Sequence, residues 1–177
     1  MPGARRAGPT RKEGQKEDSV AVLIREWREQ RPDLDPWPLE ILGRIQRLST
    51  HLSRIAEQKL GEIGLTWETF SLIVTLRRAG PPYALRPTDI YKKSLLTSGT
   101  ITNRIDKVVD MGLAVRQPVA DDRRGVVIRL TSAGLKSADQ AIAIHLSAMS
   151  EVLSVLSSSE RKDAAKLLST LLLSFEQ

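Results

Sequence analysis

The sequence contains no cysteine. A disulfide framework, a thiol redox sensor and a thiolate-bound metal are therefore excluded. Histidine is scarce as well, with His51 and His145 alone, which argues against an imidazole metal cluster. Aromatic residues make up only 4% of a chain that is 41% hydrophobic. That balance suits helices packed through Leu, Ile, Val and Ala and not an aromatic-rich sandwich. No apolar run approaches the roughly 20 residues that span a bilayer. The N-terminal stretch has no signal-peptide core, because Arg5, Arg6, Arg11 and Lys12 sit among Gly, Pro and Thr. A cytoplasmic protein without a membrane partner is expected. A glycine-rich phosphate loop and a carboxylate–histidine set at metal spacing are missing too. Neither an enzyme nor a cofactor is expected, and the two histidines read as surface or interface residues.

What is present is a chain of 177 residues with a formal net charge of +6. The length fits one domain with appended helices, and the charge favours an anionic partner. Residues 1–17, rich in Gly, Pro, Arg and Lys, have almost nothing to bury and are expected to be a disordered basic tail. It serves either as a solubilising segment or as an arm that touches phosphates.

From Asp18 the texture changes. Val20, Leu23, Ile24 and Trp27 recur at helical spacing, Asp18 or Ser19 can cap them, and Pro32 stops them, which predicts a helix over 18–32. A long amphipathic helix follows within 36–64, carried by Ile41, Ile45, Leu48, Leu52, Ile55 and Leu60 and closed by Gly61 or Gly64. A third helix runs from Thr66 to Arg78, before Gly80-Pro81-Pro82. Pro87 opens a short fourth at a position where its missing N–H is harmless. Ser94 to Thr97 reads as a turn into a fifth helix, Ser98–Met111, stopped by Gly112. Leu113–Arg116 and Val126–Leu130 are β-prone runs around a polar turn over 120–125, a hairpin pattern. Two more helices follow, Ser132–Leu156 and one starting after Ser157-Ser158-Ser159-Glu160.

Short helices followed by a two-stranded hairpin are the parts of a winged helix-turn-helix, with Ser98–Met111 as the helix for the major groove. At 100° per residue, Ile101, Ile105, Val108 and Val109 share one side of it. Gly99, Thr100, Asn103 and Lys107 share the other, with Ser98 and Thr102 beside them. Small and polar groups suit contact with base edges, and Lys107 can neutralise a phosphate. An ordinary solvated face has the same composition. Arg123 and Arg124, placed at the hairpin tip, fit the negative potential of a narrow minor groove, with Asp121 and Asp122 turning the chain before them. An ordinary polar turn is the alternative.

The segment LRPTDIYKKSLLTSGTITNRIDKVVDMGLAVRQPVADDRRGVVIRLTSAG, with Asp121-x-Arg123-Arg124 and Leu130-Thr131-x-x-Gly134, resembles the MarR family of bacterial transcription regulators. The resemblance covers Pro36 to the C-terminus. It implies a mainly α fold with a small β-wing: a winged helix-turn-helix over 65–131, with dimerisation helices at 36–64 and 132–177. It further implies a homodimer, a palindromic double-stranded operator, and repression relieved by a small molecule. The apolar residues themselves support pairing, since Leu167, Leu168, Leu171, Leu172 and Phe175 nearly encircle the last helix and need cover. Packing within one chain would also supply it.

The added helix over 18–32 is similar to that of the urate-responsive branch, in which a tryptophan, an aspartate and two arginines hold an anionic ligand. By that resemblance Trp27, Arg104 and Arg116 match the tryptophan and the arginines, while the aspartate position falls on Ser71, a departure from the pattern. The expected effector is therefore a small anionic aromatic molecule, urate-like or other. Guanidinium pairs beside an aromatic plate suit such a ring. Trp27 can equally be core packing. Arg104 can equally contact phosphate or pair with Glu68, Asp106 and Asp110 being excluded by helix geometry. A ligand that draws Arg104 and Arg116 toward Trp27 would shift the reading helix and put two half-sites out of register. A ligand-blind architectural DNA-binding protein is the alternative from another class.

Overall fold

The structure is a computed structural model that describes residues 17–94, 101–119 and 122–176, with 122–124 by backbone alone. The expected tail therefore lies outside the described residues except for Glu17, which is ion-paired with Arg25. Contacts divide the chain at His51 and Leu52 into two units.

In the first unit, α1 (Ser19–Gln30) starts where the sequence places it: the Asp18 carboxylate accepts from the N–H groups of Val20 and Ala21 at 2.9 and 3.0 Å. Those first-turn donors have no partner inside the helix, so the cap satisfies them. The Ala21 N–H, and next to it Arg44, hold the Asp18 carboxyl below the usual range. Of the expected stripe, only Val20 and Ile24 are buried, while Leu23 and Trp27 are 42% and 48% exposed. The next helix, α2 (Trp37–Gly61), receives α1 at Gly43, where a Cβ would lie 3.0 Å from Val20 Cγ1. Arg44–Asp18 at 3.0 Å and Arg28–Glu40 at 3.1 Å join the two helices.

The last turns of α2 belong to the second unit and bury Ala56 and Leu60. The elements that follow are α3 (Trp67–Arg78), β1 (Ala84–Leu85), α4 (Pro87–Lys93), α5 (Ile101–Asp110), β2 (Ala114–Val119), β3 (Asp122–Leu130), α6 (Ser132–Val152) and α7 (Ser158–Leu173). Helix α3 is the hub. Thr66 and Thr69 close a reciprocal cap at its start, and Phe70, Leu72, Ile73 and Leu76 are buried. It packs against α5, α6 and β3. Ile90 from α4, Ile105 and Val108 from α5, Ile128 from β3 and Ala138 and Ala141 from α6 complete one core. The sheet is antiparallel in the order β1-β3-β2. The fold is thus mainly helical with a small β-wing, a winged helix-turn-helix.

Three local differences from the sequence reading have physical reasons. The wing strands are longer than their β-prone cores, because ladder pairing continues to Val119↔Asp122, with a register shift at Pro118/Val119. Arg123 and Arg124 fall within β3, in the stretch between the Asp122 and Val126 pairings that the register shift spans. A third strand, β1, was not expected; it is two residues long and pairs with Ile128 and Arg129 far along the chain. Helix α6 ends at Val152 and tightens into a 3-10 turn, Leu153–Val155, after which α7 sets off at 108°.

Candidate nucleic-acid interface and ligand cavity

Helix α5 has two chemically distinct sides. Ile105 and Val108 are buried and Ile101 and Val109 half-buried, while Thr102, Asn103 and Lys107 are exposed. The core contacts of α5 thus fix which side faces outward. Ser98, Gly99 and Thr100 lie outside the described residues. Gly112, at φ +70°, lets the chain leave the helix in the left-handed conformation that glycine tolerates.

Arg104 is half-buried on α5. Glu68, at the first turn of α3, has its carboxyl held below the usual range, chiefly by its own backbone N–H. The Thr66 hydroxyl adds to this, as do the positive charges of Arg104 and Lys107. The electrostatic link from Arg104 to Glu68 therefore exists alongside any role toward a ligand. Arg116, on β2, is exposed and ion-paired with Asp106 on α5, a partner the sequence reading did not consider for it. Arg123 and Arg124 follow Asp122 at the start of β3. Trp27 stands on α1 in the first unit, half exposed.

Ser71, on α3, is 6% exposed and lines a cavity of about 540 Å³ between α3 and α6. Arg104 and Arg116 do not line it. Its aromatic wall is a cluster of three rings. Trp67 and Phe70 are 5.4 Å apart, Phe70 and His145 5.0 Å, and Trp67 and His145 5.7 Å, all tilted. Arg77 and Asp139, ion-paired at 2.7 Å, also line it. The Nδ1 of His145 is buried without a hydrogen-bond partner among the described residues, and burial pushes the imidazole pKa down. His145 is half-buried and lines this cavity. A mostly apolar cavity with a few polar groups is the usual form of a small-molecule site. The sequence pointed to Ser71 but missed Trp67, Phe70 and His145. The signal was there in the 3-residue spacing of Trp67 and Phe70, yet nothing local pairs them with α6.

The comparisons with known proteins agree with this architecture. A model of the MarR family matches residues 63–125. The HTH-type transcriptional regulator PecS of Dickeya dadantii (strain 3937) is 32% identical over 149 residues, 84% of this chain and 90% of that protein. The chain belongs to the MarR family. The HTH-type transcriptional repressor YetL of Bacillus subtilis (strain 168) is 28% identical over 148 residues, 84% of this chain and 88% of its own. Among solved structures, the S. aureus MepR–DNA complex has a TM-score of 0.66 and 26% identity, covering 75% of this chain and 97% of MepR. This MarR-family chain is accordingly a transcriptional regulator with a DNA-binding winged helix.

Proposed function

We propose that this MarR-family regulator is a homodimeric repressor that grips a palindromic operator and lets go when it binds a small anionic aromatic molecule. The observation that carries the reading is the outward side of α5, where Thr102, Asn103 and Lys107 are exposed on a helix anchored by Ile105 and Val108. A groove-reading helix needs that combination of polar groups outward and rigid support behind. Ser98, Gly99 and Thr100 would extend the same surface, and Arg123 and Arg124 would place the wing against the adjacent groove. Residues 65–131 are then the DNA-binding lobe. Residues 36–64 and 132–177 are the dimerisation helices, and 18–32 is the added helix of the urate-responsive branch. None of the residues of α7 is buried in the single chain, which supports a role for that helix in pairing.

For the effector, Trp27, Ser71, Arg104 and Arg116 are the residues to which the family resemblance points. The cavity that Ser71 lines supports ligand responsiveness, because a ligand-blind architectural protein has no use for such a space. The test is operator release. Selection from random duplexes should return an inverted repeat with half-sites about one turn, ~34 Å, apart. Urate or salicylate should then dissociate the complex, and Trp27→Ala should keep operator affinity but lose that response. Selection of an asymmetric site, or a complex indifferent to both compounds, would count against the reading.

A further inference from the structure

The Leu130-Thr131-x-x-Gly134 motif is used at one point of the structure, where α5 ends and α6 begins. The Thr131 hydroxyl donates to the Gly112 carbonyl at 2.8 Å and accepts from the Gly134 N–H at 2.9 Å. Its backbone N–H donates to the Leu113 carbonyl at 3.1 Å. Gly112 and Leu113 are themselves the closing turn of α5, since their N–H groups donate to Val109 at 2.8 Å and Val108 at 3.0 Å. Gly134 lies so close that a Cβ there would sit 1.8 Å from the Leu113 oxygen. No L side chain fits without moving one helix from the other. A hydroxyl is needed at 131 because the group must donate and accept at once, and a carboxylate only accepts.

We propose that Thr131 and Gly134 form a latch through which α6 sets the angle of α5, which makes Thr131 a positioning residue for operator binding. The inference rests on the reading of α5 as the groove-reading helix. A displacement of α6 is passed to the end of α5 through the two Thr131 bonds to Gly112 and Leu113 and the Gly134 contact, at the base of the wing. Two reading helices in a dimer must fit two half-sites together, so a small change of angle harms specific binding. Phosphate contacts alone tolerate it.

Thr131→Asp separates the latch from the cap. Aspartate caps a helix as well as threonine does, so α6 keeps its Gly134 bond, but it cannot donate to Gly112. Operator affinity should fall about tenfold, the scale of one mismatched base pair. Affinity for a random duplex of equal length, and its salt slope, should stay at the wild-type values. Thr131→Ser, which keeps both bonds, should bind as wild type. Unchanged operator affinity in Thr131→Asp overturns the proposal. An equal loss on both duplexes also overturns it, since that is the effect of the added charge. Should Thr131→Asp fail to fold, Thr131→Val reads the same junction without a charge: the same selective loss is expected, and wild-type operator affinity overturns the latch. Asn103→Ala run in parallel keeps the two claims apart. If it leaves operator binding intact, the assignment of α5 has failed, and if only the Thr131 variants are silent, the latch has.

Discussion

The guanidinium of Arg116 on β2 is ion-paired with the carboxylate of Asp106 on α5. The pair ties the base of the wing to the helix with the outward-facing Asn103 and Lys107. It also means that Arg116 already carries an anion. A ligand carboxylate or urate oxygen that uses this arginine competes with Asp106 for it, and Asp106 belongs to α5. Competition of this kind gives an anion leverage on the helix without direct contact with DNA.

Removing the competitor should therefore sharpen the response. Both side chains are more than a third exposed, and such pairs are worth about 0–1 kcal/mol. Asp106→Asn is expected to lower the urate or salicylate concentration for half-release of operator by up to about fivefold, within that range. Fluorescence anisotropy on labelled operator measures it. A raised midpoint would mean that Asp106 supports the ligand site and does not compete for Arg116.

Exposed residues on α5 should divide by what they touch. Lys107→Ala should weaken every duplex alike and reduce the salt slope by about one, as expected for one lost phosphate contact. Asn103→Ala should cost about 1–3 kcal/mol on operator and relax the choice at one base pair. Arg123→Ala should weaken operator binding and flatten the salt dependence, since Arg123 stands at the start of β3, next to the Val119↔Asp122 pair that ends the ladder. Titrations at several salt concentrations distinguish these cases. A Lys107 variant with the wild-type slope would detach that residue from phosphate, as its proximity to Glu68 would then explain.

The caps at Asp18 and Ser157 were legible in the sequence because each acts within three residues of itself. So was the division of α5 into a buried and an exposed side, which follows from periodicity alone. What was not legible depends on distance along the chain. Strand β1 exists only because Ala84 and Leu85 find Arg129 and Ile128. The ring cluster needs Trp67 and His145 from α3 and α6, and no local pattern announces that meeting. Arg123 and Arg124 were read as turn residues from their Asp and Gly neighbours, and they lie on β3 where its register against β2 shifts. Trp27 continued an apolar stripe of which only Val20 and Ile24 are covered. The four residues grouped by family resemblance are distributed so that Ser71 lines a cavity without Arg104 or Arg116.

Helix α7 exposes Leu167, Leu168, Leu172 and Leu173, each by half or more. So much apolar surface on one helix marks an interaction site more often than a free surface. Leu168→Glu with Leu172→Glu should give a monomer by light scattering and reduce operator affinity more than tenfold, since one half-site then acts alone. Circular dichroism should change little, because α7 contributes no buried residue to its own chain. A double variant that remains dimeric would move the pairing surface elsewhere.

His145 makes stability depend on pH in a defined direction. Its pKa is pushed below the usual value by burial, and its Nδ1 has no partner among the described residues to compensate a charge. The unfolded chain therefore takes up the proton first as pH falls. Stability from this group is complete above the unfolded value near 6.5 and is lost progressively from there down to the depressed folded value. Asp139, which lines the same cavity, is ion-paired with Arg77. Melting temperatures at pH 7.5 and pH 5 should consequently differ less in His145→Gln than in the wild type, whatever the offset between the two proteins at pH 7.5. Equal losses in both would mean that the imidazole takes up its proton in the folded cavity as readily as in water, and the ring cluster would then have to be solvated.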